Sequence, residues 1–369
     1  SNVERMTRNT RHFEIPAETG RTEVDREVIA RTLIGLMNNA NVGGIVLLAV
    51  KSGAGSAYKN MCAERFEEEA RKTGKPLRIV YLTNVGGSYN MLGETLRLTR
   101  EVLLEVSDFR RENCPLSALT LGVKCGTSDA TSGIAGNPCV GAAFDQLIRA
   151  GGTAFFSETT EIIGAEDLVA KRAVNESVAK KILSAARHWE DKAKATGEDI
   201  RKINPIPANI AAGISSLEEK SLGAIAKGGT SPIQDVLKYA EMPKGSGLYF
   251  VDSWMSSLSL PLCLTACGAT IMLYQMGGGK IAQHPMMPSI NPTVVSPFLY
   301  LTGNAVAYSR APDNFDFDAS SIMTEGASIP EMGTKLLEHL SAIASGTMTK
   351  METLNYAEQL ELYMEGPVL

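Results

Sequence analysis

Residues 119–133 read LTLGVKCGTSDATSG, an apolar run that passes directly into small and polar residues. Five more short runs, rich in β-branched or aromatic residues, are each soon followed by glycine or polar residues. The six runs are 44–50, 78–83, 119–124, 153–157, 247–252 and 270–274. Because they are continuously apolar rather than alternating, they predict strands that are covered on both faces, as in a parallel sheet.

The segments between these runs have the periodicity of amphipathic helices. Helices are predicted over 57–73 and 91–111, and 165–195 is predicted to contain a third long one. The alternation of strands and helices predicts an α/β fold, with two lobes of mostly parallel sheet flanked by helices.

The composition changes near Pro115, where a charged helix end meets a glycine-rich stretch. We therefore predict a first lobe over 1–115 and a catalytic lobe over 116–369, the latter possibly subdivided near 244. Residues 196–212, which contain two prolines, predict a connecting loop.

The composition excludes several classes of protein. The 36 basic and 41 acidic residues give a net charge of −5, which argues against nucleic-acid binding through a broad basic face. The 44% of hydrophobic residues excludes a disordered chain. Six cysteines without a C-x-x-C pair predict reduced thiols in a cytoplasmic protein. No two of the four histidines are close in sequence, so a metal would depend on carboxylates or thiolates.

Residues 253–309 carry one charged side chain, Lys280. Five prolines and the run 277–279 (GGG) interrupt every window that could form a membrane-spanning helix. We predict that this stretch is protein interior or subunit interface, and that Lys280, beside a glycine-rich strand end, binds an anion.

Ligands of parallel α/β sheets bind beyond the carboxyl ends of the strands, so the residues after each run are candidate site residues. In the turn 125–133, small residues allow backbone N–H groups to approach an anion, while Cys125 and Asp129 suit a cation or a substrate hydroxyl. The alternative is a tight turn in which Ser128 or Asp129 caps the next helix.

Two further strand ends carry carboxylates. Glu158 and Glu161 suit a metal ligand and a general base, or acids that complement a helix dipole. Asp252, directly after a buried run, is another candidate ligand. Lys220, beside two glutamates, belongs either to a solvated helix face or to a substrate-anion site.

Three stretches together resemble the catalytic region of the altronate and galactarate dehydratases. They are 125–138 (CGTSDATSGIAGNP), 151–166 (GGTAFFSETTEIIGAE) and 209–229 (NIAAGISSLEEKSLGAIAKGG). Residues 31–50 and 247–280 resemble the large subunit of sulfolactate sulfo-lyase, which shares this region, more closely than they resemble the sugar-acid dehydratases.

The resemblance implies a lyase that removes the proton α to a carboxylate and expels water or sulfite, so that a small anionic 2-hydroxy acid becomes a 2-keto acid. It also implies a divalent metal (Fe²⁺, or Mn²⁺ or Mg²⁺), a separate small subunit and a homo-oligomer. The roles that we predict are catalytic for Asp129, Glu158 and Lys220, substrate-binding for Ser128, Ser132, Asn137, Thr159 and Lys280, and metal-binding for Cys125, Glu161 and Asp252.

The sequence departs from the family pattern upstream. Ala17 stands where the family has a histidine, and residues 51–55 (KSGAG) replace a segment with Glu or Cys-Glu. We also expect the chain to lack the small N-terminal domain of the fused dehydratases. Either a partner supplies that domain, or the substrate differs, or catalysis has been lost. The alternatives are thus a sugar-acid dehydratase or a non-catalytic binding or scaffold subunit.

Overall fold

A computed structural model describes residues 2–15, 20–50, 61–278, 291–354 and 361–366. Ala17, Lys280 and the segment 51–55, which the sequence singles out, lie outside the described residues.

The described chain alternates strands and helices. The strands are β1 Ile45–Ala49, β2 Leu77–Tyr81, β3 Thr120–Gly126, β4 Thr153–Phe156, β5 Ile233–Leu237, β6 Gly247–Val251, β7 Ile271–Met276, β8 Phe298–Thr302 and β9 Phe317–Asp318. The helices are α1 Asn2–Met6, α2 Glu23–Asn38, α3 Ala63–Thr73, α4 Ser88–Val106, α5 Asn137–Arg149, α6 Glu166–Ala170, α7 Glu176–Ala195, α8 Ile200–Ile203, α9 Pro207–Ala211, α10 Leu217–Ile225, α11 Ser259–Ala266, α12 Ala305–Arg310, α13 Ser321–Thr324, α14 Ile329–Ala344 and α15 Lys350–Thr353.

Two parallel sheets confirm the predicted α/β class. A small sheet pairs β1 with β2, and a seven-stranded sheet has the order β5-β6-β4-β3-β7-β8-β9. From β3 the chain passes to β4 on one side, whereas β7 pairs with the other side. Such a switch point opens a crevice at the carboxyl ends of the strands, where ligands of open sheets bind.

Apolar layers cover both faces of the large sheet. Helices α5 and α14 pack together on one face, and α11 packs with α2 on the other. Every residue of β4, β6, β7, β8 and α11 is buried. The prediction of doubly covered strands therefore holds for β4, β6, β7 and β8, whereas β1 and β2 are only partly buried. Within the stretch predicted as interior, α11 and β7 are buried, but Met255 and Val306 are exposed. None of the described helices is long and apolar enough to span a bilayer.

Strands β5, β8 and β9 were not predicted, nor were the short helices α8 and α9 within the predicted loop 196–212. Strand β5 lies at the sheet edge and carries the polar residues Gln234 and Asp235, so it lacks a continuous apolar run. β8 follows Pro297 inside the stretch predicted as interior or subunit interface, and β9 has two residues. The segment 165–195 contains the predicted long helix, α7, which the Asn175 side chain caps by accepting from the Val178 N–H.

Helices α2 and α11 approach each other closely at Gly35. This contact connects the N-terminal region to the large sheet. An ideal Cβ at Gly35 would lie 2.1 Å from the Ala266 backbone oxygen. Because that oxygen belongs to the backbone, a side chain at Gly35 would fit only if the two helices moved apart.

We therefore expect Gly35→Ala to lower the free energy of unfolding by about 1–3 kcal/mol through overpacking. The matched control is Gly93→Ala in α4, where a Cβ meets nothing within 4 Å and better helix propensity adds about 0.5–1 kcal/mol. Urea unfolding of both variants tests the contact, and equal stability changes would contradict it.

Candidate active site

The carboxyl ends of β3 and β4 hold three side chains that face one another. Cys125 lies at the end of β3, and Glu158 follows β4 in a left-handed conformation, with φ +75°. Such a conformation is uncommon for a residue with a side chain and costs about 1–3 kcal/mol. The single helical turn Thr159–Glu161 then brings Glu161 back beside Glu158.

The three side chains form a compact buried group, which we call the acid–thiol triad (Cys125, Glu158 and Glu161). The Cys125 thiol donates to Glu158 Oε2 at 3.3 Å and to Glu161 Oε2 at 3.1 Å. The Cys125 backbone N–H also donates to Glu158 Oε2, at 3.0 Å. One ligand atom from each residue lies within 4.8 Å of the other two. The triad thus brings together two of the predicted metal ligands, Cys125 and Glu161, with Glu158, for which the sequence predicted a catalytic role.

The triad fits a divalent ion in chemistry and in spacing. Sulfur and oxygen donors at about 2.0–2.3 Å from one ion lie about 3–3.7 Å apart, and the two S···O distances fall in this range. A thiolate with two carboxylates favours a transition metal such as Fe²⁺ over Mg²⁺, which prefers oxygen donors alone.

Three buried lysines surround the triad. Lys227 Nζ donates to Cys125 Sγ at 3.1 Å, contacts Glu158 Oε2 and lies 3.9 Å from Glu161 Oε2. Lys220 Nζ lies 3.2 Å from Glu161 Oε1. Lys124 Nζ lies 3.6 Å from Glu158 Oε1. Three formal positive charges thus face two formal negative charges.

The lysines and carboxylates fix the protonation states. Burial alone would raise the pKa of Glu161, but Lys220, Lys227 and Lys124 lower it to about 2. Burial, followed by the two carboxylates, raises the pKa of the Cys125 thiol well above its usual value. Burial would lower the pKa of Lys227, yet Cys125, Glu158 and Glu161 raise it overall. At neutral pH the site therefore holds a neutral thiol, an ionised Glu161 and a charged Lys227.

Lys227 contacts the same three donor atoms that an ion would use. Its ammonium group already supplies positive charge to the triad, so an ion bound there would have to displace it, and the Cys125 thiol would have to lose its proton. The Lys227 ammonium group and a metal ion bound to the triad would thus compete for one position.

Asp129 organises a neighbouring loop. Its Oδ1 accepts from the Ser132 N–H at 3.1 Å and from the Thr131 hydroxyl at 2.6 Å. Its Oδ2 accepts from the Gly278 N–H at 2.7 Å and the Asn304 amide at 2.9 Å, so one carboxylate joins the ends of β3, β7 and β8. These contacts match the capping alternative, and a catalytic role of Asp129 stays a prediction.

Asp252 and Thr159 bond to each other rather than to the triad. The Thr159 hydroxyl donates to Asp252 Oδ1 at 2.7 Å, and Trp189 Nε1 donates to the same oxygen at 2.9 Å. Among the described residues, the group that could hold an ion does not include Asp252. Its role as a ligand stays a prediction.

The remaining predicted residues line the turn after β3. Ser128 is buried, and its carbonyl accepts from the Asn209 amide at 2.9 Å. The Ser132 hydroxyl accepts from the Asp129 N–H at 3.2 Å. Asn137 begins α5, and its amide donates to the Gly223 carbonyl at 2.9 Å.

Comparison with known proteins places this site in a family. The family model described as D-galactarate/altronate dehydratase, C-terminal, matches residues 116–367, which contain the triad and its lysines. The chain belongs to this family.

Among the relatives of this dehydratase-family chain is (2R)-sulfolactate sulfo-lyase subunit beta of Chromohalobacter salexigens. The two are 31% identical over 350 residues, which are 93% of this chain and 85% of that protein. Galactarate dehydratase (L-threo-forming) of Escherichia coli is 31% identical over 92% of this chain. Altronate dehydratase of Bacillus subtilis is 30% identical over 94%. The chain spans 63% and 65% of the lengths of these two dehydratases.

Sequence reasoning on this family member missed Lys124 and Lys227. Lys124 is the charged residue that ends the apolar run 119–124, and a charge at the end of a buried strand was an available signal. Lys227 stands in the quoted stretch 209–229, where nothing local distinguishes it from a surface lysine.

We expect Lys227→Met to bind Co²⁺ more tightly than the wild type, because the competing cation is gone. Unit charges about 4 Å apart interact by about 4 kcal/mol at an effective dielectric of 20, and a third of that energy changes affinity about tenfold. Titration followed by the thiolate-to-Co²⁺ charge-transfer absorption measures the change. The control is Lys220→Met, which removes the same charge but contacts Glu161 alone in the triad. Weaker binding by Lys227→Met than by the control would contradict competition.

Proposed function

We propose that the chain is the catalytic subunit of a metal-dependent lyase. It eliminates water or sulfite from a small anionic 2-hydroxy acid. We favour a sulfolactate-like acid over a sugar acid as the substrate. The observation that carries the proposal is the buried triad with its three lysines at the carboxyl ends of β3 and β4. The similarity to a protein named sulfo-lyase over 93% of the chain supports the reaction class.

The reaction needs a base for the proton on C2 and positive charge for the enolate that forms. Glu158 suits the base, because its buried Oε1 accepts no hydrogen bond among the described residues and has there only the longer 3.6 Å ion pair with Lys124. As Oε1 takes the proton, the C–H electron pair forms the C2–C3 double bond. The bond from C3 to oxygen or sulfur breaks and releases hydroxide or sulfite, and the enol then tautomerises to the 2-keto acid.

The lysines bind the substrate anions and offset the developing charge in a water-poor site, where such interactions are strong. A charged lysine can also protonate a leaving hydroxide, whereas sulfite leaves as an anion. A divalent ion held by Cys125, Glu158 and Glu161 would supply further positive charge to the enolate oxygen.

We also propose a separate small subunit, since the similar sulfo-lyase protein is named as subunit beta. Assembly into a homo-oligomer and a cytoplasmic location complete the proposal. The non-catalytic alternative rests on Ala17 and the segment 51–55.

The test supplies the purified chain with Fe²⁺ and then with (2R)-sulfolactate, galactarate or altronate, in the presence and absence of a small subunit. We expect pyruvate and sulfite in equal amounts from sulfolactate, and metal bound to the chain. No bound metal and no 2-keto acid from any of the three acids would support a scaffold role instead.

The same assay tests Glu158 through Glu158→Gln, which keeps the shape of the side chain but removes the base. We expect kcat to fall by about 10²–10⁴-fold, together with loss of deuterium exchange at C2. Glu218→Gln is the control, because Glu218 is exposed on α10 and pairs with Arg201. Comparable losses in the two variants would remove Glu158 from the proton-transfer step.

A further inference from the structure

Buried polar atoms without hydrogen-bond partners concentrate at the carboxyl end of the large sheet. Seven of the ten such side-chain atoms among the described residues belong to residues of this region: Asn137, Glu158, Thr160, Asn204, Ser253 and both amide atoms of Gln275. A native protein has few such atoms, and each calls for an explanation, such as a ligand.

Gln275 is the most unusual of these residues. Its side chain is 0% exposed, yet neither Nε2 nor Oε1 has a hydrogen-bond partner among the described residues. Burying an amide without a partner destabilises a protein, whereas an apolar side chain of the same shape would not. An unpaired amide at this position therefore indicates that something outside the described residues bonds to it.

The sheet register places Gln275 beside the triad. Gln275 in β7 is the register partner of Cys125 in β3. Alternate residues of a strand share a face, and Val123 and Leu273 belong to the core layer on one face of the sheet. Cys125 and Gln275, two residues further along, face the same side.

Gly136 leaves the space that the amide occupies. An ideal Cβ on Gly136 would lie 2.2 Å from Gln275 Nε2 and 2.8 Å from its Cδ. The backbone of Gly136 is helical, with φ −64°, so any residue could adopt its conformation. The absence of a side chain here thus gives room to Gln275 rather than freedom to the backbone.

The two unpaired atoms of Gln275 are a hydrogen-bond donor, Nε2, and an acceptor, Oε1. A carboxylate or sulfonate offers acceptors only and would leave Oε1 unpaired, whereas a hydroxyl both donates and accepts. We propose that Gln275 is a specificity-determining residue that binds the hydroxyl group of a 2-hydroxy acid beside the triad. This proposal rests on the proposed lyase function and specifies how that site selects its substrate class.

The test uses Gln275→Met, which keeps the length of the side chain but removes both polar atoms. The probes are (2R)-sulfolactate and 3-sulfopropionate, which lacks the hydroxyl. Their binding is measured by calorimetry on the metal-free chain, because the proposed turnover of sulfolactate depends on the metal. We expect the wild type to prefer sulfolactate by at least about tenfold and Gln275→Met to bind the two acids equally. A structural readout accompanies this change: the ligand-free Tm of Gln275→Met should rise, by about 2 °C or more.

Gly136→Ala gives a second, independent variant. It should displace the Gln275 side chain and reduce the preference for the hydroxyl without removing any polar group. Gly93→Ala is the control, because a Cβ there meets nothing within 4 Å.

The outcomes separate the two proposals. If the wild type converts sulfolactate and Gln275→Met keeps the wild-type preference, the role of Gln275 is wrong while the lyase function stands. The amide would then bond to an ordered water. If the wild type neither binds nor converts a 2-hydroxy acid, the lyase function is wrong, and the role of Gln275 is wrong with it.

Discussion

The contact between Lys227 and the triad is the interaction on which the site depends. Charged groups removed from water are tolerated only when opposite charges and hydrogen bonds compensate them. Glu158 is 0% exposed and Lys227 is 1% exposed, so neither has water as an alternative partner. Removing either Lys227 or one of the triad carboxylates would leave a buried charge without an opposite charge to compensate it. The same requirement explains how this interior can accept a metal ion, because an ion and an ammonium group satisfy the same oxygens and sulfur.

The fold brings these mutually compensating charges together from distant parts of the sequence. Parallel strands end at one edge of the sheet, so β3 and β4 bring Cys125 and Glu158 together although 33 residues separate them. Lys227 lies in the short helical turn Ala226–Gly228 that follows α10. The left-handed backbone of Glu158 turns the chain sharply enough for Glu161 to face the same thiol. Apolar layers on both faces exclude water and strengthen each of these interactions.

The sequence predicts those site residues that directly follow a strand, because ligands of parallel sheets bind beyond the carboxyl ends of the strands. Cys125, Glu158 and Glu161 follow apolar runs, and their convergence follows from parallel strands. Lys227 and the free amide of Gln275 could not be predicted in this way. Their orientation depends on sheet register and on how α10 packs, which local pattern does not encode. Asp129 shows another limit, since a carboxylate three residues after the end of β3 suits both a loop cap and a catalytic acid.

The most direct test of the account is a crystal structure of the chain grown with Fe²⁺, with the ion located by anomalous scattering at the iron edge. The account predicts one iron within bonding distance of Cys125 Sγ and of oxygens from Glu158 and Glu161. Lys227 Nζ should have moved away from all three atoms. An iron bound elsewhere, or an empty triad with Lys227 still in contact with Cys125 and Glu158 at saturating Fe²⁺, would contradict it.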